Sequence, residues 1–239
     1  VTTLTFVTWL WKPPVGYRSA FAAEHVNVLA NMIDRHYTAP HRILCVTDLP
    51  KGIDPRVQIV SAWNDYAELG SPHGGINKNP SCYRRLRAFH PDIGKVFGRR
   101  FVSLDLDTVI TGDLVPLFDR PEDFVIWGET NPKSWYNGSL WMLTAGARPQ
   151  VWTDFNPRRS PHDAKRAGRF GSDQGWISHC LGKGEATWSV ADGVYSYRVH
   201  LKPKGNQLPA NARIVNCHGE HDPWDAEMQR IPWVKEHYQ

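Results

Sequence analysis

The chain has 239 residues, 41% hydrophobic and 22% charged, enough for one globular domain with a central sheet covered on both faces. A formal charge of +4 suits a small anionic ligand and falls short of the dense basic footprint of a dedicated nucleic-acid binder. Cys45, Cys82, Cys180 and Cys217 lie far apart with no C-x-x-C pair, which argues against a structural zinc site or a disulfide framework and fits reduced thiols in the cytoplasm.

The opening VTTLTFVTWLW is too short to span a bilayer and has no basic flank, so it is expected to be neither a signal peptide nor an anchor. Leu4 to Trp9 reads as a strand, and Leu10 to Tyr17, rich in Pro and Gly, as a loop able to reach over a ligand. Ser19 to Tyr37 carries apolar residues at helical spacing. Arg42 to Thr47 and Val57 to Val60 are short β-branched runs around a turn. Strands that alternate with helices predict an α/β domain with a largely parallel sheet. Cys82 to Phe89 reads as a helix capped by Ser81, with at least one of Arg84, Arg85 and Arg87 able to face the sheet end and grip a diphosphate and two of the three expected to be solvated.

The most informative stretch is FVSLDLDTVITG, Phe101 to Gly112. A hydrophobic strand ends in Asp105 and Asp107, two positions apart and so on one side, at the end of a sheet where ligand crevices form. Such a pair suits a divalent cation and its phosphates; as an isolated motif it is also a common turn. Asp123 to Trp127 and the apolar run SLWMLTAG predict further strands, and Asn137 with Gly138 is either a turn before the second or a contact for a sugar hydroxyl. Pro149 to Phe155 reads as a helix, and the basic stretch from Arg158 to Arg169 as an exposed, mobile region or an acceptor-side surface. Ser172 is an N-cap candidate ahead of Asp173 and Gln174. ATWSV and YSYRVHL read as strands, and RIVNCHGEHDPW as a strand that delivers His218 into a Gly-containing loop, where it joins Asp105 and Asp107 as a candidate ligand. Trp9, Trp11, Trp135 and Trp141 are candidates for stacking at a crevice mouth.

Taken in order, TFVTW, CYRRL, FVSLDLDTVITGDLVPLFD, YNGSLWML, GSDQGWI and NCHGEHDPW resemble the GT-A glycosyltransferases, and within them glycosyltransferase family eight, the glycogenin and lipopolysaccharide galactosyltransferase group. The landmarks cover most of the chain. The resemblance implies one Rossmann-like α/β domain over residues 1–239, with a mixed, mostly parallel sheet flanked by helices. It implies an enzyme that uses a divalent metal, Mn2+ or Mg2+, to bind a nucleoside diphosphate sugar, UDP-linked, and moves the sugar with retention to an acceptor hydroxyl. Asp105, Asp107 and His218 then correspond to the metal ligands, Asp105 also lying near the ribose. Thr8, Trp9, Arg85 and Gly219 belong to the donor pocket, Asn137 and Gly138 to the sugar, and Asp173 and Gln174 to the reacting face, with Glu129 a further donor-sugar contact.

One departure stands out. Where the family commonly has a Lys before Pro-Trp that touches the diphosphate, this chain has Asp222 before Pro223 and Trp224, with His221, Lys202 or Lys204 as substitutes. The acceptor stays open among a glycan or lipopolysaccharide, a protein, and modified DNA of a phage. The competing reading is a non-catalytic nucleotide-sugar or glycan-binding protein on the same fold. A nucleotidyltransferase or phosphohydrolase would need a phosphate-cradling Gly-rich loop or more clustered carboxylates, and the sequence has neither.

Overall fold

The computed structural model describes residues 3–13, 21–74, 81–128 and 135–239. In chain order it forms β1 (Leu4–Leu10), α1 (Ala23–His36), β2 (His41–Thr47), β3 (Val57–Ser61), a 3-10 helix (Tyr83–Phe89), α2 (Gly94–Phe97), β4 (Arg100–Leu104) and β5 (Thr108–Ile110). There follow α3 (Val115–Phe118), β6 (Phe124–Trp127), β7 (Asn137–Thr144), α4 (Gln150–Thr153), α5 (Ser160–Arg166), α6 (Asp173–Leu181), β8 (Ala186–Trp188), β9 (Val194–Ser196), β10 (Ile214–Asn216) and α7 (Pro232–His237). The strands make a seven-stranded sheet in the order β3-β2-β1-β4-β7-β6-β8 and a small sheet β5-β10-β9. In the large sheet only the two ladders of β7 are antiparallel. This is the mixed, mostly parallel sheet that the alternation of elements predicts.

Both faces of the inner strands β1, β4, β7 and β6 are buried, which is why they are apolar on both sides. Leu4, Phe6, Leu10, Val102 and Leu104 belong to the core under α1, while Val7, Trp9, Phe101, Trp141 and Leu143 belong to the core under the 3-10 helix and α6. Period-two alternation sorts them. Trp141 is accordingly wholly buried and is not at a crevice mouth.

Two reversals of direction build the site. Because β7 runs against β4, its first residues lie at the carboxyl end of β4, and the Asp105 N–H donates to the Ser139 carbonyl at 3.1 Å. Asn137 and Gly138 are therefore inside the strand rather than in a turn before it. The chain leaves the large sheet at Leu104 and joins the small one at Thr108, so the D-x-D segment is the bridge between sheets. Leu106, between the acids, is buried at 3% exposure. β10 pairs antiparallel with β5, Asn216 opposite Thr108, and the Cys217 N–H donates to the Asp107 carbonyl at 2.9 Å. That pairing carries His218 to the acids.

Several local expectations are corrected. Cys82–Phe89 is a 3-10 helix from Tyr83, and Ser81 does not cap it, because its hydroxyl donates to the Leu69 carbonyl. Ser172 does not cap α6 either: its oxygen accepts from the Cys82 N–H at 2.9 Å. The serine set before one helix thus serves the start of another. The stretch read as mobile contains α5, anchored by buried Ser160, Pro161 and Ala164. YSYRVHL is strand only to Ser196 and then a π turn, Tyr197–Leu201. Among the described residues no helix is long and apolar enough to cross a membrane, and the four cysteines are free.

Candidate functional site

Two clefts open at the carboxyl ends of β1 and β4 and share one wall. The first, about 240 Å³, is lined by the apolar Trp9, Trp11, Pro13 and Phe21 and by Cys82, Arg85, Asp105, Asp107, His218 and Gly219. The second, about 230 Å³, is lined by Ser71, His73, Ser139, Phe170, Gly171, Ser172, Asp173 and Gln174. Cys82, Arg85 and Asp105 face both.

Arg85 is the post between them. It is 5% exposed and donates from Nε to Asp173 Oδ2 at 2.8 Å, with Nη2 2.7 Å from the same oxygen, while Nη1 donates to Asp105 Oδ1. Burial works against its charge, but Asp105 and Asp173 outweigh burial and hold the guanidinium firmly protonated. Burial pushes the Asp173 carboxyl above its ordinary range, against the pull of Arg85. Of the three neighbouring arginines this one alone is buried: Arg84 reaches Asp48 and lies 5.6 Å over the Trp11 ring, and Arg87 pairs with Asp65 at the surface. A Cβ at Gly138 would sit 3.0 Å from Arg85 Nη2 and 3.3 Å from Asp173 Oδ2, so any other residue there presses on the ion pair. Its N–H donates to Gln174 Oε1 at 3.2 Å.

The other end of the D-x-D is unlike this. Asp107 Oδ1 is buried with no hydrogen-bond partner. Burial first, then the charges of Asp105 and Asp222, push its carboxyl up to about 8. His218 lies opposite, its Nε2 2.9 Å from Ser196 Oγ and its ring edge-on to Trp127. Burial, aided by Arg198 and His200, lowers its pKa to about 4, so the ring is neutral at pH 7. The Val199 N–H donates to the same Ser196 oxygen at 3.2 Å. In the tautomer whose Nε2–H also donates to Ser196, Nδ1 keeps a lone pair.

Not every expected residue is on a wall. Thr8 lies behind, its hydroxyl donating to the Leu104 carbonyl at 3.0 Å, and Asn137 Oδ1 accepts from the Ser139 N–H at 2.9 Å. Trp9, whose Nε1 donates to Ser103 Oγ at 2.8 Å, does line the first cleft. Glu129 and residues 14–17 of the expected covering loop lie outside the described residues. Asp222 is 2% exposed and close enough to raise the Asp107 carboxyl, so the position of the family's Lys holds an acid aimed at the D-x-D. His221, Lys202 and Lys204 do not line the first cleft; Lys202 Nζ instead donates to His221 Nε2 at 2.7 Å. Sequence reasoning missed Ser196, Cys82, Phe170 and His73. Ser196 sits in a run that reads as an ordinary strand, Cys82 at the start of a run that reads as a helix, and Phe170 and His73 in loops without periodicity.

Among the described residues no three His, Cys, Asp or Glu side chains are gathered closely enough to enclose a metal ion. Their chemistry still fits a divalent cation. Carboxylate oxygens and a neutral imidazole are its usual donors, one of those oxygens is buried without a partner, and no cationic side chain among the described residues pairs with Asp107.

No protein-family profile and no curated protein matches the chain, but solved structures do. The galactosyltransferase LgtC, in complex with donor and acceptor sugar analogs, superposes with a TM-score of 0.66 at 11% identity, over 98% of this chain and 96% of that one. The glycosyltransferase GlyE of Streptococcus pneumoniae TIGR4 gives 0.59 at 13% identity, over 95% of this chain and 57% of its own, and the bifunctional glycosyltransferase WbbM 0.56 at 14%, over 98% and 51%. None of them is described as acting on DNA, and a modified-DNA acceptor has no support among them. At such low identity the likeness is one of architecture, and on that architecture this chain has the GT-A glycosyltransferase fold.

Proposed function

We propose that the protein is a glycosyltransferase that takes a sugar from a nucleoside diphosphate sugar, UDP-linked, and passes it to an acceptor hydroxyl with retention of configuration. The observation that carries this reading is the lining of the first cleft, where the rings of Trp9, Trp11 and Phe21 share one space with Asp105, Asp107 and His218. Rings that can stack on a flat heterocycle, together with donors for a cation-bridged diphosphate, match that lining. LgtC, bound to donor and acceptor sugar analogs, shares the architecture, which supports a sugar-transfer reading.

Asp105, Asp107 and His218 would hold Mn2+ or Mg2+, which when bound supplies positive charge against the departing diphosphate. The chain's own residues do the rest. Arg85, fixed between Asp105 and Asp173, adds positive charge that needs no reorganisation as the bond from the anomeric carbon to the diphosphate breaks. Asp173 and Gln174 line the second cleft beside Arg85, where the anomeric carbon and the incoming hydroxyl meet. They orient the sugar and polarise the hydroxyl; Gln174, whose amide oxygen already accepts from the Gly138 N–H, is a weak nucleophile. Retention follows if the hydroxyl approaches from the face the diphosphate leaves, its proton passing to the leaving oxygen.

The test is a panel of nucleotide sugars with Mn2+, read as nucleoside diphosphate released without acceptor. A transferase leaks diphosphate from one donor, and Asp107→Asn abolishes the leak. Donor binding with no release from any sugar would leave the binding-protein reading, and no binding would sink both.

A further inference from the structure

One wall of the second cleft carries Phe170, 45% exposed and among the few large apolar side chains on the surface. The ring of His73 lies 4.7 Å from that of Phe170 at a 38° tilt. Directly beside Phe170, the Arg169 guanidinium lies 3.4 Å over the Trp135 ring, and the Lys183 ammonium lies 5.4 Å from the same ring. Lys165 arrives from α5 and donates to the Pro72 carbonyl, next to His73.

Two cations thus share the Trp135 ring and a third lies beside His73, and among the described residues no carboxylate pairs with any of them; the acid of that helix, Asp163, is taken by Arg166. Like charges gathered on one indole repel each other, and an anion relieves that repulsion while a neutral ligand does not. The reacting end is the reverse, with Asp173 and Asp105 on the wall. A ligand in the cleft therefore meets acids, an amide and the Phe170 ring on its walls, and Arg169, next to Phe170 in the chain, brings beside the cleft cations that no carboxylate among the described residues pairs with.

Resting on the transferase reading above, we propose that the acceptor is an anionic saccharide. It presents a hydroxyl to Asp173 and Gln174, lays the apolar C–H face of a sugar ring on Phe170 and His73, and sets a phosphate or carboxylate against Arg169 and Lys183. A cleft of about 230 Å³ holds one or two sugar rings rather than a duplex, and three cations are too few for a phosphodiester backbone.

Binding is measured by calorimetry on the full chain, with UDP and Mn2+ present, using a hexose, the same hexose 6-phosphate, the corresponding hexuronate and inorganic phosphate. The expected result is that both charged sugars bind at least about tenfold more tightly than the hexose, as charge-assisted hydrogen bonds require. The double variant Arg169→Gln, Lys183→Gln should erase that preference. Phe170→Ala should weaken every sugar while leaving inorganic phosphate unchanged, and Phe170→Tyr should restore them. Equal affinity for neutral and charged sugars overturns the proposal, as does inorganic phosphate binding as well as the sugar phosphate, or tighter binding of a short DNA duplex. Donor hydrolysis by the wild type without acceptor reports on the transferase reading separately. Hydrolysis with no charged-sugar preference sinks this inference alone, and preference with no hydrolysis sinks the transferase.

Discussion

The two acids of the D-x-D motif, two residues apart, have opposite surroundings. Asp105 is held by Arg85, which it shares with Asp173, so that end is an ion-paired cluster complete in itself. Asp107 shares its cleft with a neutral His218 and feels the charge of Asp222, and among the described residues one of its oxygens is buried without a hydrogen-bond partner. A buried pair with satisfied geometry is rigid, and a buried carboxylate without a partner is a demand for charge. Rigidity thus lies on the side where the sugar reacts, and the unmet charge on the side where a diphosphate would be carried by a cation.

The largest effect is expected from removing the post. Arg85→Ala leaves Asp105 and Asp173 without their cation and should cost about 3–5 kcal/mol in urea unfolding. Arg85→Lys should recover only part of that, because one ammonium cannot reproduce the fork that reaches both acids. A loss within experimental error would mean that the cluster is not the rigid half of the comparison.

How much of this was legible in the sequence depends on what made each residue visible. The alternation of apolar runs reported the large sheet and its covering helices, and the D-x-D stood out because two acids ended such a run. Arg85 could be singled out, but its burial could not, since one helical turn leaves three arginines equivalent until the fold chooses. The antiparallel entry of β7, which brings Asn137 and Gly138 beside Asp105, is a topological fact with no local signal. Ser172 and Ser81 show the same limit: a serine before a helix signals a cap, yet here their hydrogen bonds go to distant backbone. Ser196 was invisible because its partner is 22 residues away.

Ser196 sharpens the other half. If its oxygen receives the Nε2–H of His218, it fixes the tautomer that leaves Nδ1 for a cation, as outer partners of ligating histidines do. Ser196→Ala should then weaken Mn2+ binding about 10–100-fold, read by the spin resonance of free Mn2+. Ser196→Thr should retain most of the affinity. Unchanged affinity in Ser196→Ala would detach His218 from the cation.

Smaller, and of opposite sign at the two acids, is the effect of neutralising each in metal-free protein. Asp105→Asn takes a charge from a satisfied pair and should destabilise by about 1–3 kcal/mol. Asp107→Asn replaces a buried carboxyl that is raised to about 8, and so only partly ionised at pH 8, and should leave stability unchanged or raise it by about 1 kcal/mol. Chemical denaturation at pH 8 with chelator compares them directly, and equal losses at both would erase the distinction.

The smallest effect is a slope with pH, and its sign can be worked out. Asp107 is raised from 3.8 to about 8, so between those values the folded chain holds a proton that the unfolded chain has lost, and stability falls as pH rises. His218 is lowered from 6.5 to about 4; there the unfolded chain holds the extra proton, and stability climbs with pH until 6.5. The two oppose each other between about pH 4 and 6.5. Above 6.5 the His218 contribution is complete, and Asp107 alone of the pair still changes, so metal-free stability should decline from pH 6.5 to 8. Saturating Mn2+, which binds the deprotonated carboxylate, should flatten that decline and release on the order of one proton per chain in the same window. A decline that persists unchanged with Mn2+ would mean that Asp107 is buried for a reason other than holding a cation.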